Sequence, residues 1–120
     1  MTSLLWDQHT CLPLRIDTDV RSLTRYKRRC GTFVSVKAGY SPHSFGDVIA
    51  LLRHYRAAVA AQPEMELADN LNDVDRITNS GRIALVFDLE DSGPLDDELS
   101  NLATLASLGV RTLLAHLQPR

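Results

Sequence analysis

The sequence has no uninterrupted apolar run near the roughly 18 residues that a membrane-spanning helix needs. Its start, Met1-Thr2-Ser3-Leu4-Leu5-Trp6-Asp7, lacks the basic region and long apolar core of a signal peptide. These absences make a cytoplasmic protein without a membrane partner the expectation. Cysteine is scarce, with only Cys11 and Cys30. Two cysteines are no disulfide framework in that compartment, so they are read as buried thiols, or one of them as a ligand. An excess of one charge is also missing. The net charge of −2 is mixed along the chain and gives no footprint for nucleic acid. No strand candidate leads into a Gly-x-Gly-x-x-Gly or Walker loop, which argues against a phosphate-binding open-sheet enzyme. Low-complexity stretches, internal repeats and linkers are absent too. Residues 1–120 therefore read as one domain.

What is present begins with Arg82-Ile83-Ala84-Leu85-Val86-Phe87-Asp88-Leu89-Glu90-Asp91. Its nearly continuous apolar run is too short for a membrane and too unbroken for a half-exposed strand. It reads as a strand buried on both faces, the signature of a parallel sheet covered by helices. The run ends in carboxylates followed by Ser92-Gly93-Pro94, a loop signal. Chemistry in α/β folds sits just past the carboxyl ends of parallel strands, so Glu90 is a candidate catalytic or metal-binding carboxylate.

The rest of the chain alternates around this strand. A first strand runs from Ser3 to Trp6 and leads into Asp7-Gln8-His9-Thr10-Cys11. A helix is expected over about 19–30, with Val20, Leu23, Tyr26 (or Lys27) and Cys30 on one face and Asp17 or Thr18 as cap. The basic residues from Arg25 to Arg29 would suit its last turns. Gly31 stops it, and Thr32-Phe33-Val34-Ser35-Val36 is the second strand. Gly39-Tyr40-Ser41-Pro42 is a loop. A helix over 45–61 follows, with Val48, Leu51, Leu52, Tyr55 and Val59 on one stripe. Met65 to Ala68 is a weak strand. Asn70 or Asp69 starts a helix with Leu71, Val74 and Ile77 inward, closed by Gly81. After the central strand come a helix over 95–108 and a fifth strand candidate, Val110 to Ala115. The order βαβαβαβαβ argues for parallel (β/α) units. Periodicity leaves open whether they form an open doubly wound sheet or the first half of a TIM-type (β/α)8 barrel.

Among the candidate chemical groups, His9 and Cys11 are two residues apart at the end of the first strand. On a regular strand that spacing aims an imidazole and a thiolate to one face, and both are zinc ligands. The commoner meaning of such a pair is a buried thiol beside an unrelated histidine. Glu90 could add an oxygen from another strand end. His116 lies at the same edge and is either a site residue or a solvated terminal histidine. His43, in a loop, and His54, on the exposed part of a helix, are given no role.

These residues resemble a known family. Trp6-Asp7-Gln8-His9-Thr10-Cys11-Leu12-Pro13-Leu14 is similar to the opening motif of the membrane dipeptidase (renal dipeptidase) family of zinc peptidases, usually Asp-Gly-His-Asn-Asp before an apolar, proline-containing segment. Gly81-Arg82-Ile83-Ala84-Leu85-Val86-Phe87-Asp88-Leu89-Glu90-Asp91 resembles its Gly-Lys-x-Ala-x-x-x-x-x-Glu-Gly signature. Leu105 to Arg111 resembles the Leu-Gly-Val-Arg segment that follows. The resemblance implies a metal-dependent (β/α)8 barrel hydrolase that cleaves dipeptides at a two-zinc centre. His9 matches a zinc ligand and Glu90 the bridging glutamate, the catalytic carboxylate. Cys11 stands where the family has Asp, a softer ligand that alters the second metal position, and Asp91 stands where it has Gly. The family's later ligands, two further histidines among them, would fall beyond residue 120. The tail from Ala115 also departs from the family's polar pattern.

The resemblance thus implies an incomplete, truncated barrel, holding fewer than two zinc ions if any, and possible inactivity. Its open sheet edges would favour homo-oligomers. One alternate set of central-strand side chains, from Ile83 to Leu89, would meet water. The competing reading from another class is a non-catalytic α/β interaction module, or a decayed remnant without metal.

Overall fold

A computed structural model describes residues 5–39, 43–90, 93–95 and 98–113, the side chains of Gln8 and His9 excepted. The strands are β1 (Leu5–Thr10), β2 (Thr32–Lys37), β3 (Met65–Leu67), β4 (Ile83–Leu89) and β5 (Val110–Leu113). The helices are α1 (Phe45–Ala60), α2 (Leu71–Asn79) and α3 (Ser100–Ser107). Every strand pair is parallel. The order is β1-β2-β4-β3, and β5 also pairs with β4. β3 lies beside the first half of β4, Met65 against Ile83, and β5 beside its second half, Leu89 against Leu113. The predicted alternation of parallel (β/α) units therefore holds.

β4 is buried along its whole length. Its odd-numbered side chains, Ile83, Leu85, Phe87 and Leu89, join Val34 and Val36 in the larger core. α1 covers that face with the expected stripe of Val48, Leu51, Leu52, Tyr55 and Val59. A capping box starts α1: Asp47 N–H donates to Ser44 Oγ and Ser44 N–H to the Asp47 carboxylate, both at 3.1 Å. The even-numbered residues Ala84 and Val86 face the other way, toward Phe33, Ala68, and Val74 and Ile77 of α2. This corrects the expectation that one face of the central strand meets water. α2 lies across that face, so its apolar side chains are dry without further strands.

Several local expectations also change. The helix expected over 19–30 is a 3-10 turn over Val20–Tyr26, capped by Asp19. Arg25, Arg28 and Arg29 would stack like charges at helical spacing, and Arg28 turns instead to the carbonyls of Arg25 and Lys27. Leu71, expected inward, is exposed in the first turn of α2, whereas Val74 and Ile77 are buried. The helix expected over 95–108 is a 3-10 turn, Gly93–Leu95, followed by α3. Leu95 and Leu105 are buried while Leu99 and Leu102 are exposed. His54 is partly buried rather than exposed, with its Nε2 2.8 Å from the Thr18 carbonyl oxygen. Residues 40–42, Asp91, Ser92 and the tail with His116 lie outside the described residues. Among the described residues no helix is long and apolar enough to cross a membrane.

Gly31 joins the two layers. Its φ is +90°, and a Cβ there would collide with the backbone and Cβ of Thr78 at the end of α2. Gly31→Ala should destabilise the fold by more than about 2 kcal/mol, measured by denaturant melt, through the left-handed backbone and the clash together. Gly46→Ala, where a Cβ would meet only Ser44 Oγ at an ordinary van der Waals distance of 3.8 Å, should cost far less.

An ion cluster ties β3 to the start of β4. Glu66 accepts from Arg76 Nη2 at 2.6 Å and from Arg82 Nη1 at 2.8 Å. Hydrogen bonding from Arg76, then Arg82, holds the Glu66 pKa down to about 2, against an ordinary 4.5. A depressed carboxylate pKa stabilises the fold above the unfolded value, and that stability is lost as pH falls through the folded value. Thermal melts between about pH 4.5 and pH 2 should therefore lose a component in the parent that is missing in Glu66→Gln.

Candidate functional site

The β2–β4 ladder continues past the strand ends. Ala38 N–H donates to the Asp88 carbonyl at 2.8 Å and Glu90 N–H to the Gly39 carbonyl at 3.0 Å. Alternation then stacks two polar pairs on the face shared with Phe33 and Val86. Deeper down, Ser35 Oγ donates to Asp88 Oδ2 at 2.7 Å, with both residues buried. One layer up, Lys37 Nζ donates to Glu90 Oε2 at 3.2 Å. Lys37 is largely buried and Glu90 is about half exposed. The carboxyl end of the central strand thus presents a carboxylate to solvent above a satisfied polar layer.

β1 reaches the same place through an irregularity. Asp7 pairs with Val34, but Thr10 pairs with Val36, so β1 carries an extra residue between them. Such a bulge reverses which alternate side chains face which way. Thr10 lands at the register of core-facing Val36, and Cys11, one residue on, falls to the Lys37 side. Among the described residues, Thr10 Oγ1 is consequently a buried oxygen without a hydrogen-bond partner. The segment after Cys11 is pinned: Tyr55 Oη donates to the Pro13 carbonyl at 3.1 Å, as does the Thr18 hydroxyl. Burial pushes the Tyr55 pKa up to about 12, so it remains a donor at neutral pH.

Cys11 and Glu90 meet at Lys37. Burial works against the ammonium, but the Glu90 hydrogen bond and the charge of Cys11, together with a Cys11 hydrogen bond, outweigh it and raise the Lys37 pKa. Two of the three residues expected at the site, from two different strands, therefore converge on one cationic group. Among the described residues no three His, Cys, Asp or Glu side chains gather as a metal site would. The backbone of His9 lies within β1, and its side chain is outside the described set.

Sequence reasoning missed Lys37 and the Ser35–Asp88 pair. The signal was available: Ser35 and Lys37 alternate as polar positions in an apolar strand, as Asp88 and Glu90 do in the next. An open groove of about 240 Å³ lies farther down the same face, lined by Trp6, Phe33, Val74, Val86 and Arg111 among others.

Parallel strands joined by helices, with polar groups at their carboxyl edge, define the (β/α) fold class to which TIM-type barrels belong. The match to a solved structure agrees with that class. Over 94% of its length the chain superposes on an amidohydrolase from Pseudomonas aeruginosa, with a TM-score of 0.76 at 10% identity. It spans 34% of that protein's chain. No curated protein matches the sequence. The family is given by a sequence model: residues 14–118 match that of the membrane dipeptidases, peptidase family M19, so the chain belongs to that hydrolase family. The matched stretch includes Lys37, Asp88 and Glu90 and begins three residues after Cys11.

Ser35→Ala should leave the buried Asp88 carboxyl one donor short and cost about 1–3 kcal/mol in a chemical melt. A loss no larger than that of an exposed serine would mean that another donor replaces the hydroxyl.

Proposed function

We propose that the chain carries the metal-binding strand ends of a zinc-dependent dipeptidase, with His9, Cys11 and Glu90 as ligands and Glu90 as the catalytic carboxylate. The observation that supports this most directly is the convergence of Cys11 and Glu90 on a single positive group at the carboxyl edge of the sheet. Two donors that both reach one ammonium lie within common reach of one cation. Thiolate, carboxylate and, by position on β1, imidazole form a donor set suited to zinc. When bound, the metal supplies Lewis-acid polarisation of a peptide carbonyl and acidification of water.

The chain's own groups do the positioning. Glu90 reaches into solvent directly after β4, a strand whose every side chain is packed. Cys11 is exposed, yet its backbone is tethered through Pro13. Asp88 and Ser35 close the floor beneath them. A dipeptide is the proposed substrate, taken from family membership. The softer thiolate at Cys11 favours about one zinc rather than the two of the family. β1, β3 and β5 each pair with one strand among the described residues, which supports association of copies through free edges.

Metal analysis of the purified chain tests this. About one zinc per chain should bind and raise the melting temperature, since a ligand of the native state alone stabilises it. His9→Ala and Glu90→Gln should each lower zinc content. If both variants bind as the parent does, the ligand assignment is wrong. A chain indifferent to zinc would favour the non-catalytic module.

A further inference from the structure

The strand-end cluster already contains a cation. Lys37 is 14% exposed, and its Nζ lies 3.2 Å from Glu90 Oε2. The Cys11 thiol lies within hydrogen-bonding reach of the same ammonium. Both groups proposed as ligands from described side chains are thus committed to one internal partner. A divalent ion and an ammonium cannot share that point, because each repels the other in a partly desolvated site. Glu90 Oε2, which accepts from Lys37, is an oxygen that a metal would use.

We propose that Lys37 is the resident counter-cation of the metal-free site and that it competes with the metal for Cys11 and Glu90. This rests on the metal-binding reading above and adds to it a residue that sets metal affinity. Lys37 is suited to such exchange. Its point charge sits on a flexible four-carbon stem, unlike the rigid fork of an arginine. Its backbone is held in the β2–β4 ladder, opposite Asp88, so the side chain can swing out with the sheet unchanged. In its seated position the ammonium balances the Glu90 carboxylate and sits beside Cys11 when metal is absent. The cost is a weaker site, since entry of the metal requires breaking both contacts.

Zinc titration by calorimetry, with zinc ion alone as the probe, tests this. Lys37→Met should bind zinc at least about tenfold more tightly than the parent, because the competitor is gone. Lys37→Arg keeps the charge and should bind no more tightly than the parent. Lys37→Gln serves as the neutral variant if Lys37→Met does not fold, judged by circular dichroism. Equal or weaker binding by the folded neutral variant, with zinc still taken up by the parent, overturns the competition and leaves the metal site standing. Zinc taken up by neither protein overturns both readings. A second measurement needs no variant. Acetylation of Lys37 in the parent, followed by mass spectrometry, should increase when zinc is added. Unchanged or reduced labelling would show that zinc does not displace the ammonium.

Discussion

The double burial of β4 is the constraint on which the rest of the structure depends. A strand dry on both faces needs a hydrogen-bonded neighbour on each edge and a cover on each side. β2 supplies one edge, and β3 and β5 divide the other between them. α1 covers the odd-numbered face and α2 the even-numbered face. Gly31 exists at its position because the turn into β2 passes against the end of α2. Each of these elements has its place because β4 has nowhere wet to put a side chain.

The same strand explains where polarity appears. Two residues on its even-numbered face, Asp88 and Glu90, are carboxylates, and each is answered from β2, by Ser35 and Lys37. The lower pair is buried and satisfied, so it is part of the packing. The upper pair lies at the rim, where burial of the ammonium and exposure of the carboxylate differ. β1 completes the rim only by means of its bulge, and a buried Thr10 hydroxyl without a partner among the described residues is an energetic cost of that register. A regular β1 would keep Cys11 on the core face with Asp7.

Much of this was legible in the sequence because it follows from period and composition. The unbroken run at 83–89, the stripe of α1 and the alternation of strands and helices are patterns that burial imposes on any chain. The family resemblance was legible from the motifs around His9 and Glu90. What could not be read depends on contacts between distant residues. The bulge is a mismatch between two strands and leaves no mark in either one alone. The cover provided by α2 depends on which face a short helix docks against, and its period says only that one side is apolar. Arg25 to Arg29 suited a helix end by dipole reasoning, yet mutual repulsion and available carbonyls favour the 3-10 turn. Lys37 was passed over because a lone lysine at a strand end is usually solvated, and its meaning depends on Glu90, 53 positions away.

The connectivity of β4 has a consequence for the order of assembly. Its partner in β2 lies across α1, β3 and α2, so their pairing closes a long loop before it gains any contact. During synthesis, β1, β2 and α1 emerge with their inner faces exposed and wait for residues 83–89. The sheet then forms around a strand made late, and pairing of this kind is slow compared with local helix formation. The nascent chain therefore passes through a period in which the edge of β2 that β4 will occupy is open to other chains.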